Sequence, residues 1–191
     1  FTTAFLSLLF FASPALAGSY VIDPAHTQIG FSAKHLVITN VKGRFKQFSG
    51  SFDFDEKTKK IKNATLSIEA DSIDTDVAKR DKHLRSPDFL NAKKYPKITF
   101  KQKASGLMHG NRMWVTGDLT IRGVTKEIRL EGEFLGAIKD FQGNHRAGFT
   151  ARGEINRFNY GLKWNALLEL GGAVVSKEIK LILEVEGVKK K

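Results

Sequence analysis

The chain has 191 residues, of which 41% are hydrophobic and 27% charged, and it contains no cysteine. This length is sufficient for one domain with a sizeable core, and the lack of cysteine excludes disulfides and thiol chemistry. The formal net charge is +11. Because the lysines are scattered along turns and the C-terminal tail, not clustered with exposed aromatics, we expect a solvated basic surface and no nucleic-acid partner.

The first stretch of the chain, FTTAFLSLLFFASPALA, carries no charge. Its apolar run over residues 5–11 and its A-x-A pattern at residues 15–17 predict a secretory signal peptide over residues 1–17, with cleavage after Ala17. The run is too short to span a bilayer as a lasting anchor. We therefore expect residues 18–191 to form one exported domain.

Alternation of apolar and polar residues begins after Gly18 and is typical of β-strands. The predicted strands are residues 19–22, 26–35, 41–55, 61–72, 98–103, 113–121, 125–137, a strand after the turn at 143–144, and 178–188. A slip in the alternation between Phe45 and Phe48 predicts a bulge over residues 48–50. Regular hairpin spacing with one apolar face predicts an antiparallel barrel or sandwich.

The residues predicted to face inward differ greatly in size. An eight-stranded barrel has room for packed side chains or for one small ligand. Small inward residues such as Ala33 and Gly117 could leave an open bore. They could equally accommodate phenylalanine rings, of which the chain has 15 in total. The sequence leaves both alternatives open.

One segment, RDKHLRSPDFLNAKKYPKITF (residues 80–100), interrupts the strand pattern. It predicts a short helix capped by Asp74 or Asp76, in which Asp81 and Arg85 form an ion pair four residues apart. Pro87 is expected to end this helix.

The residues after this helix are too apolar for a solvated loop, with Phe89, Leu90 and Tyr95 close together. We expect the segment to be a plug that closes one end of the β-structure. The alternative that stays open is that the plug also forms the mouth of a ligand cavity.

The sequence offers no strong catalytic or metal motif. The five histidines are His26, His35, His83, His109 and His145, and their spacing matches no usual zinc pattern. A metal site would need tertiary convergence, and none is expected. Since G-x-S-x-G, P-loop and G-x-G-x-x-G patterns are also missing from the sequence, no catalytic residue is predicted.

Four segments together resemble the YceI-like family, which comprises bacterial envelope proteins of lipocalin-like shape that are linked to polyisoprenoid binding. They are residues 23–55, residues 80–100, residues 117–128 (GDLTIRGVTKEI) and residues 148–164 (GFTARGEINRFNYGLKW). The resemblance covers nearly the whole chain after residue 17.

The resemblance implies an all-β fold over residues 18–191, an eight-stranded antiparallel lipocalin-like barrel with a short helical insert closing one end. It also implies a periplasmic location. The bore would hold an isoprenoid lipid, either a polyprenyl phosphate or an isoprenoid quinone, and no other cofactor is expected. A transient membrane contact would follow from such a ligand. Exposed strand edges and Trp114 would support a homodimer.

The resemblance and the strand pattern together give a set of expected ligand-binding side chains. They are His26, Phe31, His35, Phe45, Phe52, Leu66, Ile68, Arg80, Asp81, His83, Leu84, Arg85, Phe89, Phe100, Leu119, Phe149 and Phe158. Arg80, Arg85 or Arg157 near a mouth could meet a phosphate or carbonyl head group.

These features support the hypothesis of a periplasmic carrier for an isoprenoid-type lipid. One alternative is an enzyme that acts on an apolar substrate, with His83 or His26 as the acid–base group. The other is a stress-related structural or interaction protein whose barrel is filled by its own side chains.

Overall fold

The computed structural model describes residues 18–36, 38–165 and 174–191, so the predicted signal peptide lies outside the described residues. The strands are β1 Gly18–Ile22, β2 Gln28–His35, β3 Thr39–Phe45, β4 Phe48–Asp55, β5 Lys60–Glu69, β6 Ile73–Asp74, β7 Lys97–Leu107, β8 Arg112–Ile121, β9 Val124–Lys139, β10 His145–Asn156 and β11 Val175–Lys189. Helix α1 spans Ala78–Arg85, and 3₁₀ turns span Ala70–Ser72 and Arg157–Tyr160. No helix in these ranges has both the length and the apolar character to cross a membrane.

The strands close into one antiparallel barrel. The order around the wall is β1–β4–β5–β7–β8–β9–β10–β11, and the end of β11 pairs back to β1 with Tyr20 opposite Lys189. The first part of β11 pairs with β2, which in turn pairs with β3. Since β1 continues into β2 and β3 into β4, the wall has eight strands, and the predicted lipocalin-like barrel is confirmed.

The connections alternate between the two ends of the barrel. Residues 70–96, which contain β6 and α1 and which we call the insert, lie at the same end as the β2–β3 and β8–β9 turns. The β4–β5, β7–β8 and β9–β10 hairpins lie at the other end, which we call the hairpin end. The insert therefore closes one end, as the sequence predicted.

Two predicted features of the second long strand are wrong. Residues 41–55 form two strands that meet at Lys46 and Gln47. The break occurs because the chain changes partner there: Phe45 pairs with Ile73 of β6, whereas β4 pairs with β5. The register shift in β4 lies between Ser51 and Asp53, after the predicted bulge.

The predicted helix cap is also wrong. Val77 is the N-cap residue of α1 and gives no side-chain cap. Asp74 instead accepts a hydrogen bond from the backbone N–H of Asp76 at 3.1 Å, within its own turn. The other end agrees with the prediction, since α1 stops at Arg85, just before Pro87.

Phenylalanine rings of the barrel wall pack directly against inward-facing glycines. A Cβ on Gly117 would lie 2.5 Å from Cζ of Phe100, and a Cβ on Gly187 would lie 2.5 Å from Cζ of Phe52. The ring of Phe31 lies against Gly43, its partner across the β2–β3 ladder, in the same way. Small inward residues could either leave an open bore or accommodate phenylalanine rings. At these three glycines the structure shows the second alternative, because a phenylalanine ring occupies the space above each of them.

Replacing Gly117 with alanine should destabilise the protein. The new Cβ would meet the backbone oxygen of Lys101 at 2.5 Å as well as the Phe100 ring, and a backbone atom in a paired strand cannot move away. We expect urea unfolding to show a loss of about 1–3 kcal/mol. Gly148→Ala is the matched control, because its nearest contact would be the Cβ of Leu135 at 3.8 Å. Equal stability of the two variants would contradict this explanation.

Candidate functional site

The barrel encloses two neighbouring cavities. The larger, of about 200 Å³, lies beneath the insert, and we call it the insert-end cavity. The smaller, of about 120 Å³, lies towards the hairpin end and is called the hairpin-end cavity. Side chains that line both are Ile29, Leu66, Phe100, Leu130 and Leu183. Because these residues form a common wall, the two cavities lie end to end along the bore.

Ten of the seventeen expected ligand-binding residues come together around these cavities. In the insert-end cavity they are Phe31, Phe45, Leu66, Ile68, Leu84, Phe89, Phe100 and Leu119. Phe52 and Phe149 line the hairpin-end cavity, together with Leu66 and Phe100. All ten are apolar and were placed by strand alternation or by the plug. Their contact with a ligand stays a prediction.

The insert contributes apolar side chains to the roof of the insert-end cavity. Leu84 of α1 and the following Phe89 and Leu90 all line it. Arg122, in the turn between β8 and β9, holds this part of the insert in place. Its Nη1 donates hydrogen bonds to the backbone oxygens of Pro87 at 2.7 Å and Phe89 at 2.5 Å. The roof is thus tied to the rim of the barrel by a charged side chain.

Polar groups attach helix α1 to the first part of the insert, which precedes it in the chain. Asp81, only 5% exposed, accepts hydrogen bonds from the backbone N–H of Thr75 at 2.9 Å and from its hydroxyl at 2.5 Å. Arg80 donates through Nε to the same hydroxyl oxygen at 2.7 Å. Neither Arg80 nor Asp81 lines a cavity, because both face the Thr75 turn.

Arg85 has a similar structural position. Its Nε donates to the backbone oxygen of Asp71 at 2.6 Å, and its Nη2 donates to that of Ile73 at 2.9 Å. The predicted Asp81–Arg85 ion pair is therefore wrong, since each side chain is engaged by the chain that precedes the helix. Arg85 lines neither cavity.

His83 lies behind the roof and does not line either cavity. Its Nε2 lies 2.8 Å from the carboxylate of Asp88. Its ring makes edge contacts with Phe89 and Trp164, at centroid distances of 5.0 and 4.8 Å. The imidazole is therefore separated from the insert-end cavity by the Phe89 ring.

Three more expected residues lie outside both cavities. His26 is in the exposed turn between β1 and β2, with its Nδ1 2.8 Å from the Asp23 carboxylate. His35 is at the end of β2, beyond the last cavity-lining residue of that strand. Phe158 is 37% exposed and packs against the guanidinium of Arg157, 4.7 Å from its ring centre.

Tyr160 was not among the site residues predicted from the sequence, and Arg157 was expected only as a group near a mouth. Both line the insert-end cavity, and in the described part of the chain they are the two polar side chains in an otherwise apolar lining. They are the first and last residues of one 3₁₀ turn. The available signal was the RFNYGLKW segment, in which a cation and a phenol lie three residues apart.

Arg157 is 3% exposed and is held by backbone oxygens. Nε donates to Ser176 at 2.8 Å, Nη1 to Leu162 at 2.5 Å and Trp164 at 2.8 Å, and Nη2 to Val175 at 3.1 Å. Burial lowers the pKa of the guanidinium, yet an arginine in a protein keeps its proton. The cavity wall therefore contains a fixed positive charge.

Tyr160 is 1% exposed, and its hydroxyl is buried with no hydrogen-bond partner among the described residues. Burial raises the pKa of the phenol to about 12, so the group is neutral and remains a donor at physiological pH. An unpaired buried hydroxyl is unusual and destabilising.

A cluster of acidic residues and a histidine lies outside the bore. Potential metal-ligand atoms of Asp23, His26 and Glu186 are all within 4.8 Å of one another. However, Nη1 of Arg146 lies 2.8 Å from Asp23 and 2.6 Å from Glu186, and its Nε lies 2.7 Å from Asp140. The guanidinium is already paired with these carboxylates, so the cluster is best described as an ion-pair network.

This network depresses two carboxyl pKa values. The hydrogen bond from His26, followed by that from Arg146, lowers the pKa of Asp23 to about 2. The hydrogen bond from Arg146 lowers that of Asp140 to about 2 as well. A carboxyl whose pKa is lower in the folded state stabilises the fold above its unfolded-state pKa, and this contribution is lost as the pH falls through the folded value.

We therefore expect Arg146→Gln to reduce stability in a pH-dependent way. The difference from the unmodified protein should be constant above about pH 5 and should shrink as the pH falls from about 4 towards 2, since both carboxyls then become protonated. Urea unfolding at a series of pH values measures it. Arg112→Gln, at an exposed position without an ion pair in the described part of the chain, is the control. A difference that does not vary with pH would contradict the assignment.

A second substitution tests the attachment of α1. Asp81→Ala leaves the buried N–H and hydroxyl of Thr75 without their acceptor, and we expect a loss of about 1–3 kcal/mol in the free energy of unfolding. Asp88→Ala is the matched control, because Asp88 is 53% exposed and its contact with His83 belongs to the surface. Equal effects of the two substitutions would show that Asp81 does not anchor the helix.

Known proteins match this chain in sequence and in fold. The YceI-like domain model matches residues 20–187. The protein YceI of Escherichia coli O157:H7 is 43% identical over 189 residues, which cover 98% of this chain and 95% of that relative. The YceI crystal structure from Campylobacter jejuni is 37% identical, covers 83% of this chain and 90% of its own, and has a TM-score of 0.73.

A more distant structure has the same fold. A polyisoprenoid binding domain from Saccharophagus degradans superposes with a TM-score of 0.62, covering 92% of this chain and 100% of that domain. At 16% identity this likeness concerns the fold alone. The family model and the relatives above 30% identity together cover almost all of the sequence. The chain therefore belongs to the YceI-like family.

Proposed function

We propose that this protein binds and carries an isoprenoid-type lipid in its bore, and that it is a binding protein and not an enzyme. The observation that carries this proposal is the pair of cavities that lie end to end inside the closed barrel, with linings that are almost entirely apolar. Such a space suits a long, flexible hydrocarbon chain. The fold shared with the polyisoprenoid binding domain supports the same class of ligand.

The size of the insert-end cavity makes an empty bore unfavourable. A vacant apolar cavity destabilises a protein by roughly 24 cal/mol per Å³. For about 200 Å³ this is on the order of 5 kcal/mol, a large share of the stability of an ordinary domain. A ligand that fills the cavity would remove this penalty.

The binding free energy expected for an isoprenoid chain is large enough for stable carriage. Burial of apolar groups contributes about 0.8 kcal/mol per CH₂ before ordering costs. A ligand of ~30 non-hydrogen atoms at about 0.3 kcal/mol per atom reaches roughly 9 kcal/mol, which corresponds to submicromolar affinity. Apolar contacts alone would therefore suffice for stable carriage.

The location and the membrane contact are parts of the same proposal. The uncharged N-terminal segment with its A-x-A pattern supports export to the periplasm. Apolar side chains near the β9–β10 hairpin, of which Phe141 is 97% exposed, support a transient contact with a membrane. The homodimer has less support, because Trp114 packs under the guanidinium of Arg129 at 4.9 Å and the wall strands are paired on both sides.

The two alternative functions fit the geometry less well. An enzyme would need an acid–base group at the cavity, yet His83 lies behind Phe89 and His26 lies outside the wall. A filled barrel would leave no cavities of the size described above.

The test of the proposal is native mass spectrometry of the protein purified from a bacterial periplasm without detergent, followed by organic extraction. A stoichiometric isoprenoid adduct is the expected result. A mass without ligand, together with no uptake from a series of polyprenyl phosphates and isoprenoid quinones, would overturn the proposal and favour the filled-barrel alternative.

A cavity-filling variant makes the test specific to the bore. Ala33 lines the insert-end cavity, whereas the next residue of β2, Lys34, is exposed. We expect Ala33→Phe to occupy the space of the ligand and to abolish the stoichiometric adduct. Lys34→Phe adds the same ring to the outer surface and should leave the adduct unchanged. If both variants retained their lipid, the ligand would have to bind elsewhere.

A further inference from the structure

Two neighbouring polar side chains interrupt the apolar wall of the insert-end cavity. Arg157 and Tyr160 are three residues apart on one 3₁₀ turn, and both line the cavity. In a 3₁₀ helix the side chains of residues i and i+3 project from the same side. Their polar groups are therefore presented from one side of the turn, which marks one place along the bore as chemically different.

The hydroxyl of Tyr160 has no function in the fold that the structure reveals. It is buried, and it has no hydrogen-bond partner among the described residues. A phenylalanine would fill the same volume without the free-energy cost of an unpaired buried hydroxyl. The phenol is neutral, so it offers one O–H donor that lacks an acceptor.

Arg157 offers one further donor. A guanidinium has five N–H groups. Four of them donate to the backbone oxygens of residues 162, 164, 175 and 176. Among the described residues, one N–H, on Nη2, has no acceptor. The guanidinium is thus mainly a structural clamp with a single free donor and a positive charge, and it is not an open fork for a phosphate.

We propose that the Tyr160 hydroxyl and the remaining Nη2–H of Arg157 together bind a carbonyl oxygen at one end of the isoprenoid ligand, as an isoprenoid quinone would supply. The inference rests on the proposed function and adds the chemistry of the ligand's polar end. A carbonyl oxygen has two lone pairs and so matches two donors. Its partial negative charge is also favoured by the nearby guanidinium.

A phosphate or diphosphate head fits this place poorly. Each phosphate has several charged oxygens that must all be hydrogen-bonded when they are removed from water. The wall provides two donors and one positive charge, surrounded by side chains such as Leu162 and Val175. The site therefore selects a weakly polar end group over a multiply charged one.

The experiment is a competition among three probes for the delipidated full chain, read by native mass spectrometry. The probes are an isoprenoid quinone, a polyprenyl diphosphate of similar chain length, and the isoprenoid hydrocarbon squalene. The unmodified protein should prefer the quinone. Tyr160→Phe should lower its affinity for the quinone about three- to ten-fold, which is the effect of one hydrogen bond, and leave that for squalene unchanged.

A second readout separates a ligand role from a structural one. Without ligand, Tyr160→Phe should melt a few degrees higher than the unmodified protein, because the unpaired hydroxyl is gone. Tyr20→Phe is the matched control. Tyr20 is equally buried, but its hydroxyl donates to Glu56 at 3.3 Å and it lines neither cavity. This control should bind all three probes as the unmodified protein does.

The outcomes distinguish this inference from the function on which it rests. If the unmodified protein binds none of the probes, the proposed function fails. If it binds them but prefers the diphosphate, or if Tyr160→Phe binds the quinone unchanged or loses all three equally, only the inference is overturned. A Tyr160→Phe variant that is less stable without ligand, or that does not fold, would show a structural hydroxyl and would overturn it too.

Discussion

The interior of this barrel depends on the close contact between phenylalanine rings and glycines of the wall. Phe31 against Gly43 and Phe100 against Gly117 remove the space that a Cβ would need. Each ring is thereby held at the wall, and the two cavities remain between the walls. The same contacts give a reason for the combination of many phenylalanines with small inward residues. A barrel filled by aliphatic side chains would pack more densely, whereas this arrangement gives up some packing for an open, apolar interior.

The insert solves a different problem, since it must cover the cavity without filling it. Its apolar side chains, such as Phe89 and Leu90, form the roof, but charged groups hold it in position. Asp81 fixes the Thr75 turn within the insert, and Arg122 reaches the roof from the β8–β9 turn at the same end of the barrel. Directional bonds of this kind fix the position of the roof more narrowly than apolar contacts alone. Arg80, Asp81 and Arg85 of the insert therefore have a structural role, which explains why they do not line the cavities.

Strand alternation in the sequence predicted an antiparallel barrel or sandwich, and the family resemblance selected the barrel. Alternation also predicted much of the apolar cavity lining, because inward residues in neighbouring strands face a common interior. Prediction from the sequence was wrong where contacts with distant parts of the chain determine the position of a side chain or the pairing of a strand. Arg80, Asp81 and Arg85 looked like mouth residues by position, yet the preceding turn supplies backbone and hydroxyl partners that no helical spacing reveals. The slip in alternation between Phe45 and Phe48 was interpreted as a bulge over residues 48–50, whereas the chain changes partner between these two phenylalanines. Tyr160 was missed because its importance lies in a hydroxyl without a partner, and only three-dimensional packing can establish that.

The pairing of Tyr20 with Lys189 has a kinetic consequence. Closing the barrel joins strands from opposite ends of the described chain, and contacts of such large sequence separation are slow to form. β1 can pair with β4, and β2 with β3, as soon as those strands exist, but the other edges of β1 and β2 have no partner strand until β11 is in place. Until then the apolar interior is open to the side, along the edge where β11 will pair with β1 and β2. The interval before closure is thus a period in which a long hydrophobic molecule could enter sideways between strands, without passing the insert or either end of the finished barrel.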